Sequence, residues 1–274
     1  MKFFKWLEEF YFRNKKMNQK ENKETQKFKL KITKELAEKV LETVDAGLCS
    51  GLGNPIPGQM CVEAAVCYAM GMEHSDEPIC VAESVRSLKI KINDSCWSSN
   101  DARAKGLRRL AIAQLGSSGV VDDSRFVRMV VELVISKQLP LALRAAASVH
   151  PDKNHKSKLL DAAIRCEKEK STYAADAADY AADAADYAAA NAADAANAAN
   201  AAYAAYAADA AYAAYAADAA ADAAYSAAYA AADAADAAAG ITTKDEHLSE
   251  FCEDVVQILI ELKSPGCEFL ELTE

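Results

Sequence analysis

Between Tyr173 and Ala239 the chain is built from alanine, with Asp, Tyr or Asn at nearly every third or fourth position and no Lys or Arg. Alanine is the best intrinsic helix former, and no Gly or Pro interrupts the tract before Gly240. Helix is the expected state, and an unbroken α-helix of this length would span on the order of 100 Å. Alanine faces let helix axes approach closely but bury little area. Tyr is therefore expected to supply most of the packing, at about 1.5–3 kcal/mol for each large buried side chain.

The spacing divides the tract. It starts as heptads, Tyr173-Ala-Ala-Asp176-Ala-Ala-Asp179 and then Tyr180-Ala-Ala-Asp183-Ala-Ala-Asp186. Alternating steps of three and four keep one stripe on one helix face. The end, through Asp218, Asp222, Tyr225, Tyr229, Asp233 and Asp236, again averages the helical period. From Asn191 to Asp218 the step is strictly three, and each such step turns about 300° on an α-helix. The decorated face must spiral there, the helix must tighten, or the tract must break. The reading is an all-α multi-helix bundle with a long Ala-rich helical tract, broken near residues 191–218, where Asn191, Asn197 and Asn200 tolerate caps. Asp, Tyr and Asn codons differ only in their first base, so the tract also reads as a length-variable expansion of two alanine codons plus one.

Charge is local. The ten Asp residues of the tract equal the whole net charge of −10, and the rest balances, 31 basic against 31 acidic side chains. The tract is thereby unsuited to a nucleic-acid backbone, and a basic protein is the partner it fits. The eight cysteines, at 49, 61, 67, 80, 96, 166, 252 and 267, form no CxxC and no zinc spacing. The opening MKFFKWLEEF carries charges where a signal peptide needs an apolar core. A cytoplasmic protein with reduced thiols is expected, with no metal or cofactor.

The pattern divides the chain into an amphipathic arm and linker (1–28), a helical body (29–172), the repeat (173–240) and a C-terminal segment (241–274). In the arm, Phe3, Phe4, Trp6, Leu7, Phe10, Tyr11 and Phe12 sit among lysines; it suits peripheral membrane contact or, the preferred reading, packing on the body. In the body, Thr33 is expected to cap a helix to Ala46, and a helix is expected from about Gln59 to Met70. Pro78 is expected to open one to about Leu88, with Lys89-Ile-Lys-Ile92 either strand or further helix. Asn100 is read as capping the next helix, with Trp97 anchored in the core. Asp122 or Asp123 should cap another, Pro140 should open one to about Val149, and the helix ending at Lys170 should run on into the tract. Thr243-Lys-Asp-Glu246 reads as a capping box before Leu248, Phe251, Val255, Val256, Ile258, Leu259 and Leu262, a stripe too apolar to stay undocked.

Three places in the body hold residues that could do chemistry. The glycine-rich loop Gly47–Gly58 feeds a helix N-terminus, where free amides can hold an anion; a plain turn between helices is the other reading. Cys61 stands at that helix start, a position that lowers a thiol pKa, with Gln59 close before it. Arg103, Lys105, Arg108 and Arg109 concentrate basic charge on one helix, as a solvated face or as a site for an acidic partner. In the tract, Tyr203, Tyr206, Asp209, Tyr212, Tyr215 and Asp218 are the candidate partner-binding face.

Resemblances attach to some of these residues. His150-Pro151-Asp152-Lys153-Asn154 resembles the signature of J-domain co-chaperones, which implies stimulation of an Hsp70 ATPase, although the helices on either side depart from that family. Gln59 before Cys61 is similar to the oxyanion residue and nucleophile of papain-like cysteine hydrolases, without their aromatic after the Cys. The tract resembles the Ala-Ala-x arrays of bacterial and phage proteins, some labelled immunity proteins. That resemblance implies a cofactor-free protein that binds another protein. A non-enzymatic binding protein acting through the Tyr/Asp face is therefore the expected function, with the J-domain and hydrolase readings as alternatives.

Overall fold

Helix α1 (Lys34–Asp45) begins where a hydroxyl can satisfy an orphan amide: Thr33 Oγ1 accepts from Leu36 N at 3.3 Å. Val40, Leu41 and Val44 then fall on one face and are buried. The computed structural model describes residues 31–150, 152–170 and 243–274, and from Ile32 onward they belong to one unit with a continuous core. Among the described residues the fold is all-α, with eight α-helices, one π turn and one 3₁₀ helix; the only β pairing is an isolated bridge between Gly53 and Met60. The alanine tract and the N-terminal arm lie outside the described residues, as does the expected break near 191–218.

Helix α2 (Val62–Ala69) is short and buried along its first six residues, Glu63 included. A helix apolar on all sides is a core helix. Helix α3 (Glu83–Asn93) starts later than Pro78 suggests and carries Lys89-Ile-Lys-Ile92 as helix. Val85, Leu88 and Ile92, at helical spacing, outweigh the two-residue alternation and are all buried. Trp97 is in the core as expected, its Nε1 donating to Ile92 O at 2.9 Å.

Helix α4 (Asn100–Ala113) is the centre of the body and packs against α1, α2, α8 and the C-terminal 3₁₀ helix. Its cap is Ser99 rather than Asn100: Ser99 Oγ accepts from Ala102 N at 3.0 Å. Asn100 instead orients Arg103, whose Nη1 donates to its Oδ1 at 2.6 Å. Ser99→Ala should therefore cost about 1 kcal/mol in urea unfolding, and an unchanged midpoint would refute the cap assignment.

Helix α5 (Asp123–Leu133) is capped by Asp122, which accepts from Arg125 N at 2.6 Å. Pro140 was expected to begin a separate helix. Instead the chain passes from α5 through a π turn (Val134–Gln138) directly into α6 (Leu139–Val149), and Pro140 is the second residue of α6. A proline ring clashes with the carbonyl four residues before it and lacks a donor. The wider π turn, closed by Leu139 N to Val134 O, accommodates that lesion without ending the path.

Helix α7 (Lys153–Glu169) pairs with α6 across the His150–Asp152 turn. It does not run on into the alanine tract. Lys170 adopts a left-handed conformation (φ 50°), with its N–H on Cys166 O at 3.1 Å. Such a residue closes a helix C-terminus. Helix α8 (Thr243–Glu261) returns to α4 and α5, and all seven residues of its expected stripe are buried. The 3₁₀ helix Pro265–Thr273 then locks onto the end of α4, with Ser264 Oγ on Ala113 O at 2.6 Å and Gly266 N on Leu115 O at 2.7 Å. The C-terminal residues are thus a docked element rather than a loose tail.

Candidate functional site

The polar chemistry of the body gathers where the glycine loop meets the ends of α2, α3 and α4. Two glycines make the loop possible. A Cβ on Gly53 (φ +70°) would strike Gln59 O and Cys49 Sγ, and one on Gly58 (φ +85°) would strike Ala46 O. The loop folds back as a narrow hairpin, with Cys49 N on Met60 O at 3.0 Å and Cys61 N on Leu52 O at 3.3 Å.

Asn93 and Asp94, at the end of α3, tie it down. Asn93 Oδ1 accepts from Val62 N at 3.2 Å, and its Nδ2 donates to Cys49 O at 2.9 Å and to Asp94 Oδ1 at 2.8 Å. Asp94 Oδ1 also accepts from Gly51 N at 2.7 Å. Arg103 completes the knot from α4, its Nε on Asn93 O at 2.7 Å and its Nη1 on Leu48 O at 3.1 Å. The α2 N-terminus is thereby occupied by protein groups: Asn93 holds Val62 N and Cys61 Sγ accepts from Ala64 N at 3.4 Å. The amides considered for an anion already have acceptors.

Beneath this knot lies an ion pair that the sequence reading missed. Glu63 on α2 and Lys89 on α3 have side chains with no solvent exposure, and Nζ lies 3.4 Å from Oε1. Neither atom makes an aligned hydrogen bond. Gln114 Nε2 donates to the other carboxylate oxygen at 3.3 Å, leaving Gln114 Oε1 without a partner. Burial drives both groups towards neutrality: it raises Glu63 to about 7 against the opposing pull of Lys89, and it lowers Lys89. A signal existed, since Lys89 shares a helix face with Val85 and Ile92, but the alternation with Ile90 and Ile92 masked it.

A pocket of about 20 Å³ opens beside the pair. It is lined by Gly51, Leu52, Cys61, Val62, Glu63, Asp76, Ile90, Asn93 and Asp94. Among the described residues no group of three His, Cys, Asp or Glu side chains is placed to hold a metal ion.

The other candidate residues are placed as follows. Cys61 serves as the α2 cap, and burial pushes its thiol up to about 11, the reverse of an activated nucleophile. His74, the nearest histidine in sequence, is bound to Gly53 O at 3.0 Å through Nε2. His150 is buried and its Nδ1 accepts from Asp152 N at 3.0 Å. Asp152 caps α7 by accepting from Asn154 N and His155 N, which holds its carboxyl below the usual range. His150 is thus turned into the fold, and Asp152, although exposed, is engaged as the cap of α7; Pro151 lies outside the described residues. Five of the eight cysteines are buried.

The basic patch is not an open surface. Arg103 is buried in the knot. Arg108 grips Asp45 through two bonds of 2.8 and 3.1 Å and reaches Thr273 O at 2.7 Å. Arg109 pairs with Glu253 at 2.6 Å and meets Thr273 Oγ1 at 3.1 Å. These arginines join α1, α8 and the 3₁₀ helix to α4, and Lys105 is exposed. Tyr203, Tyr206, Asp209, Tyr212, Tyr215 and Asp218 lie outside the described residues. No family model, no curated protein and no solved structure matches this chain. No helix among the described residues is long and apolar enough to cross a membrane.

Proposed function

We propose that this is a non-enzymatic protein-binding chain, of the inhibitory, immunity or scaffold kind, whose helical body presents the acidic Tyr/Asp face of the repeat to a basic protein partner. One observation carries this reading: the repeat holds ten Asp residues and no Lys or Arg, while four basic side chains of the body are engaged in ion pairs between its own elements. Arg108–Asp45, Arg109–Glu253, Lys137–Asp254 and Arg125–Glu261 each join different elements. Tyr beside Asp suits recognition, because an aromatic ring supplies contact area at small entropic cost, and clustered carboxylates steer a cationic partner. The candidate face is Tyr203, Tyr206, Asp209, Tyr212, Tyr215 and Asp218, and the reading involves neither a cofactor nor nucleic acid.

The test compares three chains in a pull-down: the native one, one lacking residues 173–239, and one with all ten tract Asp residues changed to Asn. The partner should be captured only by the native chain, and capture should weaken as salt rises. Equal capture by all three would end the proposal.

A further inference from the structure

We propose that Cys80, Met70 and Cys67 bind a soft monovalent metal ion, Cu(I), where the end of α2 meets the segment before α3. The Cys80 thiol donates to Met70 Sδ, with the two sulfurs 3.5 Å apart. Cys67 stands three residues before Met70, a spacing that shares one helix face, and the backbone is still right-handed at Met70 (φ −79°, ψ −7°). Burial pushes the Cys67 thiol up, and negative charge on Glu63 or Cys80 pushes it further, so Cys67 lies within electrostatic reach of the pair. The backbone holds both touching sulfurs in place. Helix α2 ends in a left-handed turn at Gly71 (φ +70°), with Gly71 N on Tyr68 O at 3.0 Å and Met72 N on Cys67 O at 2.9 Å. Opposite, Ser118 N donates to Cys80 O at 3.1 Å and Ala82 N to Ser117 Oγ at 2.8 Å. Cys67 and Cys80 are buried and Met70 is half-buried, so the thioether is the way in.

The donor set selects the ion. A buried cysteine alone is a small hydrophobe; here the thiol already points at a second soft donor. Thiolate and thioether sulfur select Cu(I) over harder divalent ions. Structural zinc takes four ligands from Cys, His, Asp and Glu, and the described residues place no three of those together. Charge agrees, since one thiolate neutralises a monovalent ion and the filled site carries no net charge into the core. Metal–thiolate bonds of about 2.3 Å set two sulfurs around a trigonal ion about 4 Å apart, close to the separation already present. Uptake is an exchange without electron transfer: the Cys80 S–H bond breaks, metal bonds form at Cys80 Sγ and Met70 Sδ, and the proton leaves to water. The site is separate from the alanine tract, so it stands or falls independently of the reading above.

The experiment is a titration of the full chain with silver nitrate in chloride-free buffer, Ag(I) being an air-stable substitute for Cu(I). The chain carries Cys96→Ser, which removes the exposed cysteine, and methyl-¹³C methionine for NMR. The Met70 methyl resonance, identified by its loss in Met70→Leu, should shift and saturate at one equivalent. Met70→Leu conserves volume and should weaken binding about a hundredfold, since even residues that only support metal ligands are worth about 10–100-fold. Cys80→Ser, with its fold checked by circular dichroism, should weaken it as much, and Cys67→Ser less. Zinc sulfate should leave the methyl resonance in place. A Met70 methyl that stays unmoved while other thiols take up silver, an equal shift with zinc, or unchanged affinity in Met70→Leu and Cys80→Ser would overturn the proposal.

Discussion

Replacing Lys89 with Met should destabilise the protein by about 3–5 kcal/mol, because it leaves Glu63 as an unpaired charge in the core. Glu63→Gln together with Lys89→Met should recover stability to within about 1 kcal/mol of native, since the Gln keeps an acceptor for Gln114 and the Met keeps the volume of Lys89. The penalty also depends on pH. Glu63 has a folded pKa raised to about 7, so its protonated form is favoured by folding. That contribution is complete below the ordinary carboxyl value of 4.5 and is lost as pH rises through 7. Without Lys89 the folded pKa rises further, so the single variant should be closest to native in acid and furthest from it at pH 8. Urea unfolding of the native, single and double variants across this range is the measurement. A double variant as unstable as the single one would show that the pair is not the source of the loss.

Gly266→Ala should cost about 1–3 kcal/mol, the range for forcing volume into a packed core. A Cβ at Gly266 would lie inside the van der Waals radius of Ile112 O and crowd Leu115 N and Cβ. Backbone atoms of a helix end cannot yield as a side-chain tip would. The contact cannot simply part, because Gly266 N holds Leu115 O and Ser264 Oγ holds Ala113 O. Gly71→Ala is the control: Gly71 has φ +70° but nothing within 4 Å, so only the backbone cost of about 1 kcal/mol remains. Thermal unfolding with limited proteolysis of the C-terminus separates the cases. A Gly266→Ala chain that melts with the native one would refute the close packing.

The features legible in the sequence share a cause. Thr33, Asp122 and the stripe from Leu248 to Leu262 act through neighbours within a helical turn or along one face, and local pattern reports such effects directly. Two of the errors are local, and the others come from partners distant in sequence. Asn100 looks like a cap until Arg103 claims its side chain, and Pro140 looks like a helix start until a π turn absorbs it. The arginines of α4 look like a free basic face because Asp45, Glu253 and Thr273 are more than sixty residues away. Asn93 and Asp94 carry no local signal of the bonds by which they fasten the glycine loop. Lys89 and Glu63, 26 positions apart, become a pair only when α2 and α3 stack.

The left-handed turn at Lys170 has a mechanical consequence. The hydrogen-bond ladder of α7 stops there, so winding or unwinding in the residues that follow is not passed back as a shift in the register of α7. Beyond the repeat, Ser98 N and Oγ hold Asp245 in the first turn of α8, which fixes that helix by contact with the body. At Lys170 and at Asp245 the body is therefore closed by contacts among its own residues.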